Sequence, residues 1–192
     1  MKNYILIVSI LCLLAACDTK TSDSVPIPED SLPFGSETTT YPDDPDMVLV
    51  TVKNTQGVKS AEGNYYQGVR HGSWTEYYPN GIIRELSTYN LGIREGALLT
   101  FENTGQLVSS SNYHNGKLSG AAYEFTRSKV TSHKNYVEGN LEGIVRIYYP
   151  SGQIMEESNY ANGQRNGKSL WFDMDGNVTI EYDYEDGKLM SK

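Results

Sequence analysis

The chain has 192 residues, a formal net charge of -8, 15 Tyr and 18 Gly. That length suits one domain with additional segments, and the acidity works against binding a phosphate backbone. The two cysteines, Cys12 and Cys17, both lie in the first 17 residues, so the remainder holds no disulfide and no thiolate metal site.

The N-terminus reads as an address. Lys2 is followed by an apolar stretch, Tyr4 to Leu14, of signal-peptide length and too short to span a bilayer comfortably as a helix. It ends in Leu14-Ala15-Ala16-Cys17, which resembles the bacterial lipobox. The resemblance implies that residues 1–16 are a lipoprotein signal peptide and that the thiol of Cys17 carries diacylglycerol. Two or three acyl chains, palmitate among them, give stable anchoring where one would not. The expected location is extracytoplasmic, anchored to a bacterial membrane (inner, outer or at the cell surface). Cys12 leaves with the signal.

Residues 17–46 read as a lipidated Cys followed by a disordered tether. Five of the seven prolines fall here, at Pro26, Pro28, Pro33, Pro42 and Pro45. From Asp18 to Gly57 there are eight acidic residues against two basic ones. So little apolar surface cannot offset the entropy of ordering. About 30 such residues have an end-to-end distance of roughly 30 Å.

From position 57 the glycines fall into three registers with a period of 23 or 24. The first is Gly68, Gly92, Gly116, Gly139, Gly163 and Gly187, and the second is Gly72, Gly96, Gly120, Gly143 and Gly167. The third is Gly57, Gly81, Gly105, Gly152 and Gly176, with a gap near Lys129. Aromatics keep step: Tyr65, Tyr89, Tyr113, Tyr136, Tyr160 and Tyr184 precede the first register by three residues. Tyr77, Phe101, Phe125, Tyr148 and Phe172 follow the second by five. Such a fixed period means a repeat architecture.

Each unit reads as a β-hairpin. Gly72 to Tyr78 is a strand, Tyr78-Pro79-Asn80-Gly81 a turn, Ile82 to Tyr89 the return strand, and Asn90-Leu91-Gly92 the start of the link onward. The fold expected for 47–192 is all-β: an elongated, twisted antiparallel meander of about six tandem hairpins in a single sheet. Twelve strands at about 4.8 Å each would make it nearly 60 Å long. A continuous core is expected on the face of Tyr77, Phe101, Phe125 and Phe172, with the glycines acting as turn devices. The pattern Tyr-x-x-Gly-x-x-x-Gly, continuing to an aromatic and a third Gly, is fullest from Tyr65 to Gly81. It resembles the MORN-repeat variant family over roughly Val58 to Lys188. Members of that family include YwqK-type antitoxins and lipoproteins of unknown role. The resemblance implies a protein-binding repeat scaffold and supplies no catalytic residues.

No motif for chemistry stands out. His71, His114 and His133 share neither a repeat position nor a metal-ligand spacing. Asp173 to Asn177 has a calcium-loop beginning, but Val178 and Tyr184 stand where Gly and a bidentate Glu are wanted. Glu156 and Glu157 point to opposite faces of a strand. From residue 58 on, 16 acidic residues face 13 basic ones, which leaves no basic stripe for nucleic acid. No catalytic residue, metal or cofactor is therefore assigned, and the chain is not expected to be an enzyme. Trp74, Tyr78, Tyr149 and Trp171 fall opposite the recurring core aromatics. They are either buried by the sheet or exposed as a candidate partner-binding face. The expected function is a membrane-anchored scaffold for an unknown protein partner, antitoxin- or immunity-like. The alternative is a module binding envelope glycan or peptidoglycan.

Overall fold

Two kinds of tight turn alternate along the chain, and their backbone demands account for two of the three glycine registers. The computed structural model describes residues 32–190. Along one edge of its sheet, two-residue turns occur at Gln67-Gly68, Leu91-Gly92, Asn115-Gly116, Glu138-Gly139, Asn162-Gly163 and Asp186-Gly187. Both residues of each pair have positive φ, 46° and 83° at Leu91 and Gly92. That is the type I′ geometry, whose twist matches the flanking strands. The other edge uses a longer turn. Gly81 N–H donates to Tyr78 O at 2.9 Å and Tyr78 N–H to Ile82 O at 2.8 Å, so a left-handed glycine completes a three-residue loop.

The first strands are β1 (Ser36–Tyr41), β2 (Asp44–Lys53), β3 (Lys59–Tyr66), β4 (Val69–Tyr77), β5 (Ile83–Asn90), β6 (Ile93–Phe101), β7 (Leu107–His114) and β8 (Lys117–Leu118). Then come β9 (Gly120–Thr126), β10 (Lys129–Val137), β11 (Asn140–Leu141), β12 (Gly143–Tyr148), β13 (Ile154–Ala161), β14 (Gln164–Phe172), β15 (Val178–Glu185) and β16 (Lys188–Leu189). All sixteen form one antiparallel sheet in chain order, with β8 and β11 as short spurs beside β7 and β10. The described residues contain no helix.

The hairpin meander is as the repeat implied, with three differences. First, β1 lies inside the segment expected to be a disordered tether over 17–46. Ser36 to Thr40 pair with Val52 to Val48, and Pro42-Asp43 turns the chain into β2. The ordered domain thus begins by Ser36 rather than at Met47: the β-branched run Thr38-Thr39-Thr40 suffices for an edge strand when β2 offers a ready ladder. The expected signal peptide, Cys17 and the part of the expected tether up to residue 31 lie outside the described residues.

Second, the second-register glycines are not turn residues. Gly72 (φ 73°) and Gly167 (φ 92°) sit within β4 and β14 as bulges, opposite register breaks at Gly63/Asn64 and Ser158/Tyr160. At Gly120 and Gly143 the break divides the strand, which separates β8 from β9 and β11 from β12. A bulge adds residues to one strand of a pair and increases local twist, so a glycine once per unit curls each hairpin alike.

The core also lies on the other face. Among the described residues, Val48, Val50, Val52, Ala61, Gly63, Tyr65, Trp74, Ser87, Ser132, Val145, Ser158 and Ser169 are buried. Register places them together: Val50 faces Gly63, Gly63 faces Trp74, Trp74 faces Ser87, and Val145, Ser158 and Ser169 face one another in turn. Tyr77, Phe101, Phe125, Tyr148 and Phe172 occupy the reverse face and are only half-buried. The reason is side-chain length. On a one-layer sheet a short residue is buried only when long neighbours fold over it, and those long neighbours belong to the face of Trp74.

Candidate binding face

The long neighbours are the first-register tyrosines and the residue two places after each first-register glycine. In chain order the row reads Tyr65, Arg70, Tyr89, Arg94, Tyr113, Leu118, Tyr136, Leu141, Tyr160, Arg165, Tyr184, Leu189. Each type I′ turn sets this up by folding a strand back so that Tyr65 faces Arg70, Tyr89 faces Arg94 and Tyr160 faces Arg165. The result is a ladder in which a guanidinium lies between successive tyrosines at three steps, Arg70, Arg94 and Arg165, and a leucine at two, Leu118 and Leu141. Arg70 Nη1 donates to Tyr89 Oη at 3.2 Å, and Arg70 Cζ lies 4.1 Å from the Trp74 ring centroid. Arg94 Nη2 donates to the same hydroxyl at 3.1 Å and to Glu85 Oε1 at 3.2 Å, with the Tyr113 ring 5.1 Å away. Arg165 donates to Tyr160 Oη and Glu156, 5.5 Å from both Trp171 and Tyr184.

A partly desolvated cation over an aromatic face is worth about 1–2 kcal/mol, so the ladder joins neighbouring units. It also tunes its members. Burial would push the Tyr89 phenol up, but hydrogen bonds from Arg94, Ser87 and Arg70 outweigh it and hold Tyr89 below the usual tyrosine value. Beneath the ladder, Ser87, Ser158 and Ser169 are small enough to be covered completely. The adjacent carboxylates divide between faces as strand alternation demands. Glu156 takes Arg165 on the ladder face, and Glu157 takes Arg146 at 2.8 Å on the reverse.

The four residues expected to form a binding face prove to do three different things. Trp74 is 1% exposed, beneath Arg70 and edge-on to Tyr65 at 5.8 Å. It is core, so of the two alternatives for this residue burial holds, and it offers no contact surface. Tyr78 and Tyr149 are half-buried at the long turns and hydrogen-bond the next unit: Tyr78 Oη to Phe101 O at 2.8 Å, Tyr149 Oη to Phe172 O at 2.7 Å. Trp171 is half-buried on the ladder face and stands edge-on to Tyr182 at 5.8 Å. The two tryptophans do not share a repeat position. Trp74 follows Gly72 by two residues and Trp171 follows Gly167 by four.

A family model, the MORN repeat variant, matches the chain over residues 70–91 and 141–162. These segments are MORN-variant repeats. Each runs from a ladder position, Arg70 or Leu141, to the left-handed residue of the following type I′ turn, Leu91 or Asn162. The same phase recurs in this chain at 94–115, 118–138 and 165–186. No curated protein matches the chain. MORN repeats are protein- and membrane-binding modules rather than catalytic ones, so the face to consider is the open one the repeats build.

The polar clusters elsewhere have structural partners. Asp173 Oδ1 accepts from the N–H groups of Asp175 and Asn177 at 3.0 and 2.8 Å, so the calcium-like segment is a turn stabilised by its own carboxylate. Among the described residues no three His, Cys, Asp or Glu converge as a metal site would require. His133 stacks on Tyr123 at 4.7 Å, His71 tilts against Tyr66 at 5.8 Å, and His114 meets Glu95 at 2.9 Å. The three are far apart in role. Arg70, Arg94 and Arg165 were missed from sequence, although they recur at a fixed offset from the first glycine register.

Proposed function

We propose that the chain is a lipid-anchored, non-enzymatic repeat scaffold that binds another protein through its ladder face, in the manner of an antitoxin or immunity partner. The supporting observation is the ladder itself. It presents tyrosine in every unit and arginine at three of the six ladder positions along an open sheet, two of the residue types that dominate protein-binding hot spots. Arg94 and Arg165 remain partly accessible, with side-chain exposures of 30% and 31%. The anchor supports a membrane-proximal partner, with Cys17 carrying the lipid and the residues up to Ser36 as the spacer.

The experiment is affinity capture from envelope extract with the full chain, compared with the charge reversals Glu85→Arg and Glu156→Arg. Recovery of one stable partner that both variants lose is the expected result. Recovery of none, or equal capture by both variants, would overturn the reading. The anchor is tested separately. Cys17→Ser should abolish incorporation of labelled palmitate and move the protein to the soluble fraction, and an unchanged membrane fraction would count against it.

A further inference from the structure

We propose that the cleft between Tyr113 and Tyr136, midway along the ladder face, binds a single neutral pyranose ring of a glycan. The inference does not rest on the protein-binding reading, since it uses the part of the ladder that Arg70, Arg94 and Arg165 leave unfilled.

Two substitutions within the repeat open this cleft. At the ladder position the shorter Leu118 stands where Arg70, Arg94 and Arg165 stand in other units. At the floor position, held by Trp74, Leu98, Val145 and Ser169 elsewhere, this unit has Ala122. Both changes remove side-chain volume from one place, and a cleft of about 190 Å³ results, walled by Tyr113, Leu118 and Tyr136. At ~30 Å³ per water it holds about six waters. That is room for one six-membered ring with its hydroxyls, and not for an oligosaccharide.

The lining selects the chemistry. Lys134 Nζ donates to Glu124 Oε1 at 2.7 Å, and both residues line the cleft. Together they offer donors and acceptors with no net charge. A guanidinium would have to displace Lys134 from Glu124, and a carboxylate or phosphate would have to displace Glu124 from Lys134, so a charged ligand gains its partner only by breaking this pair. A purely apolar group would strip water from that ion pair and from Ser111 without replacing its hydrogen bonds, which is costly. A neutral polyhydroxylated ring escapes all three penalties. Its C–H faces lie against the tyrosine rings, and its edge hydroxyls both donate and accept. A mostly apolar cleft with a few placed polar groups is the usual form of a small-ligand site.

The test uses the full chain in a detergent that carries no sugar headgroup. The probes are glucose and N-acetylglucosamine, titrated by saturation-transfer NMR. Millimolar binding by the unaltered chain is expected. Leu118→Arg restores the ladder cation and fills the cleft, and Ala122→Leu fills it from the floor. Each should weaken binding at least about tenfold without lowering Tm. If Leu118→Arg fails to fold, Ala122→Leu carries the test alone. No binding by the unaltered chain, or undiminished binding by a folded cleft-filling variant, would overturn the proposal. So would an arginine-rich peptide that binds while the sugars do not and is lost in Leu118→Arg. Failure of the sugar titration leaves the envelope capture result untouched, and the reverse also holds.

Discussion

The hydroxyl of Tyr78 donates to the main-chain carbonyl of Phe101, 23 residues ahead, at 2.8 Å, and Tyr149 repeats the bond to Phe172 at 2.7 Å. Each ties the long turn of one unit to the strand end of the next. A neutral hydrogen bond contributes about 1 kcal/mol, and a repeat array is held largely by such interface contributions. Tyr78→Phe and Tyr149→Phe should therefore each lower stability by about 1 kcal/mol in denaturant titration. The two sites share no partner, so the double variant should lose the sum. A double variant no less stable than either single one would mean that the hydroxyls merely exchange these bonds for water.

Gly63 belongs to none of the three registers, and its φ is unexceptional; its role is to lack a side chain. A Cβ there would stand 2.5 Å from Trp74 Cε3 and 2.6 Å from Ser73 O. The indole lies flat over this strand only because nothing rises from it. Gly63→Ala should cost about 2 kcal/mol through overpacking, with a red-shifted, more accessible tryptophan emission. Gly57→Ala, where nothing lies within 4 Å but φ is 77°, should cost about 1 kcal/mol and leave the emission unchanged. Equal spectra for the two variants would defeat the argument.

These two glycines mark what sequence could and could not convey. Period, hairpin topology and turn sites follow from local backbone demands that glycine, asparagine and proline satisfy visibly, so they were legible in positions such as Gly81 and Gly163. Which face forms the core was not, because alternation treats both faces alike. Tyr65 and Tyr77 recur with equal regularity, and the decision rests on Arg70 reaching across to Tyr89 and covering Trp74. The strand at Ser36–Tyr41 was hidden for a similar reason: its pairing depends on a neighbour, not on its own composition.

The gap in the third glycine register has a definite shape. Thr126 pairs with Lys129 across Arg127-Ser128, a two-residue turn with φ of 50° and 63° where the other units use three residues ending in glycine. Loss of one loop residue explains why glycine is missing and why the spacing from Gly116 to Gly139 is 23. Neither Arg nor Ser is suited to left-handed φ, which costs about 1 kcal/mol per residue. Replacing the pair with Asn-Gly should raise stability by about 1–2 kcal/mol without changing the fold. A loss of stability on that replacement would show that this turn is held by side-chain contacts rather than tolerated despite its strain.

Glu95 couples two units through charge. Its Oε2 accepts the main-chain N–H of Asn115 at 2.8 Å and its Oε1 meets His114 Nδ1 at 2.9 Å. The hydrogen bond from Asn115, then that from His114, holds the Glu95 carboxyl below its usual 4.5, and Glu95 in turn raises His114 above 6.5. A depressed carboxyl contributes stability that is present above its unfolded value and lost as pH falls through the folded one. A raised imidazole contributes stability that is complete below its unfolded value and lost as pH rises through the folded one. The pair therefore contributes most between about pH 4.5 and 6.5. Comparing Glu95→Gln with the unaltered chain, the gap in Tm should be widest near pH 5.5 and should narrow by pH 8.5, where only the Asn115 contribution remains. The imidazole resonance of His114 should titrate above 6.5 in the unaltered chain and fall back in the variant. A Tm gap of constant size, together with an unmoved titration, would remove His114 from the account.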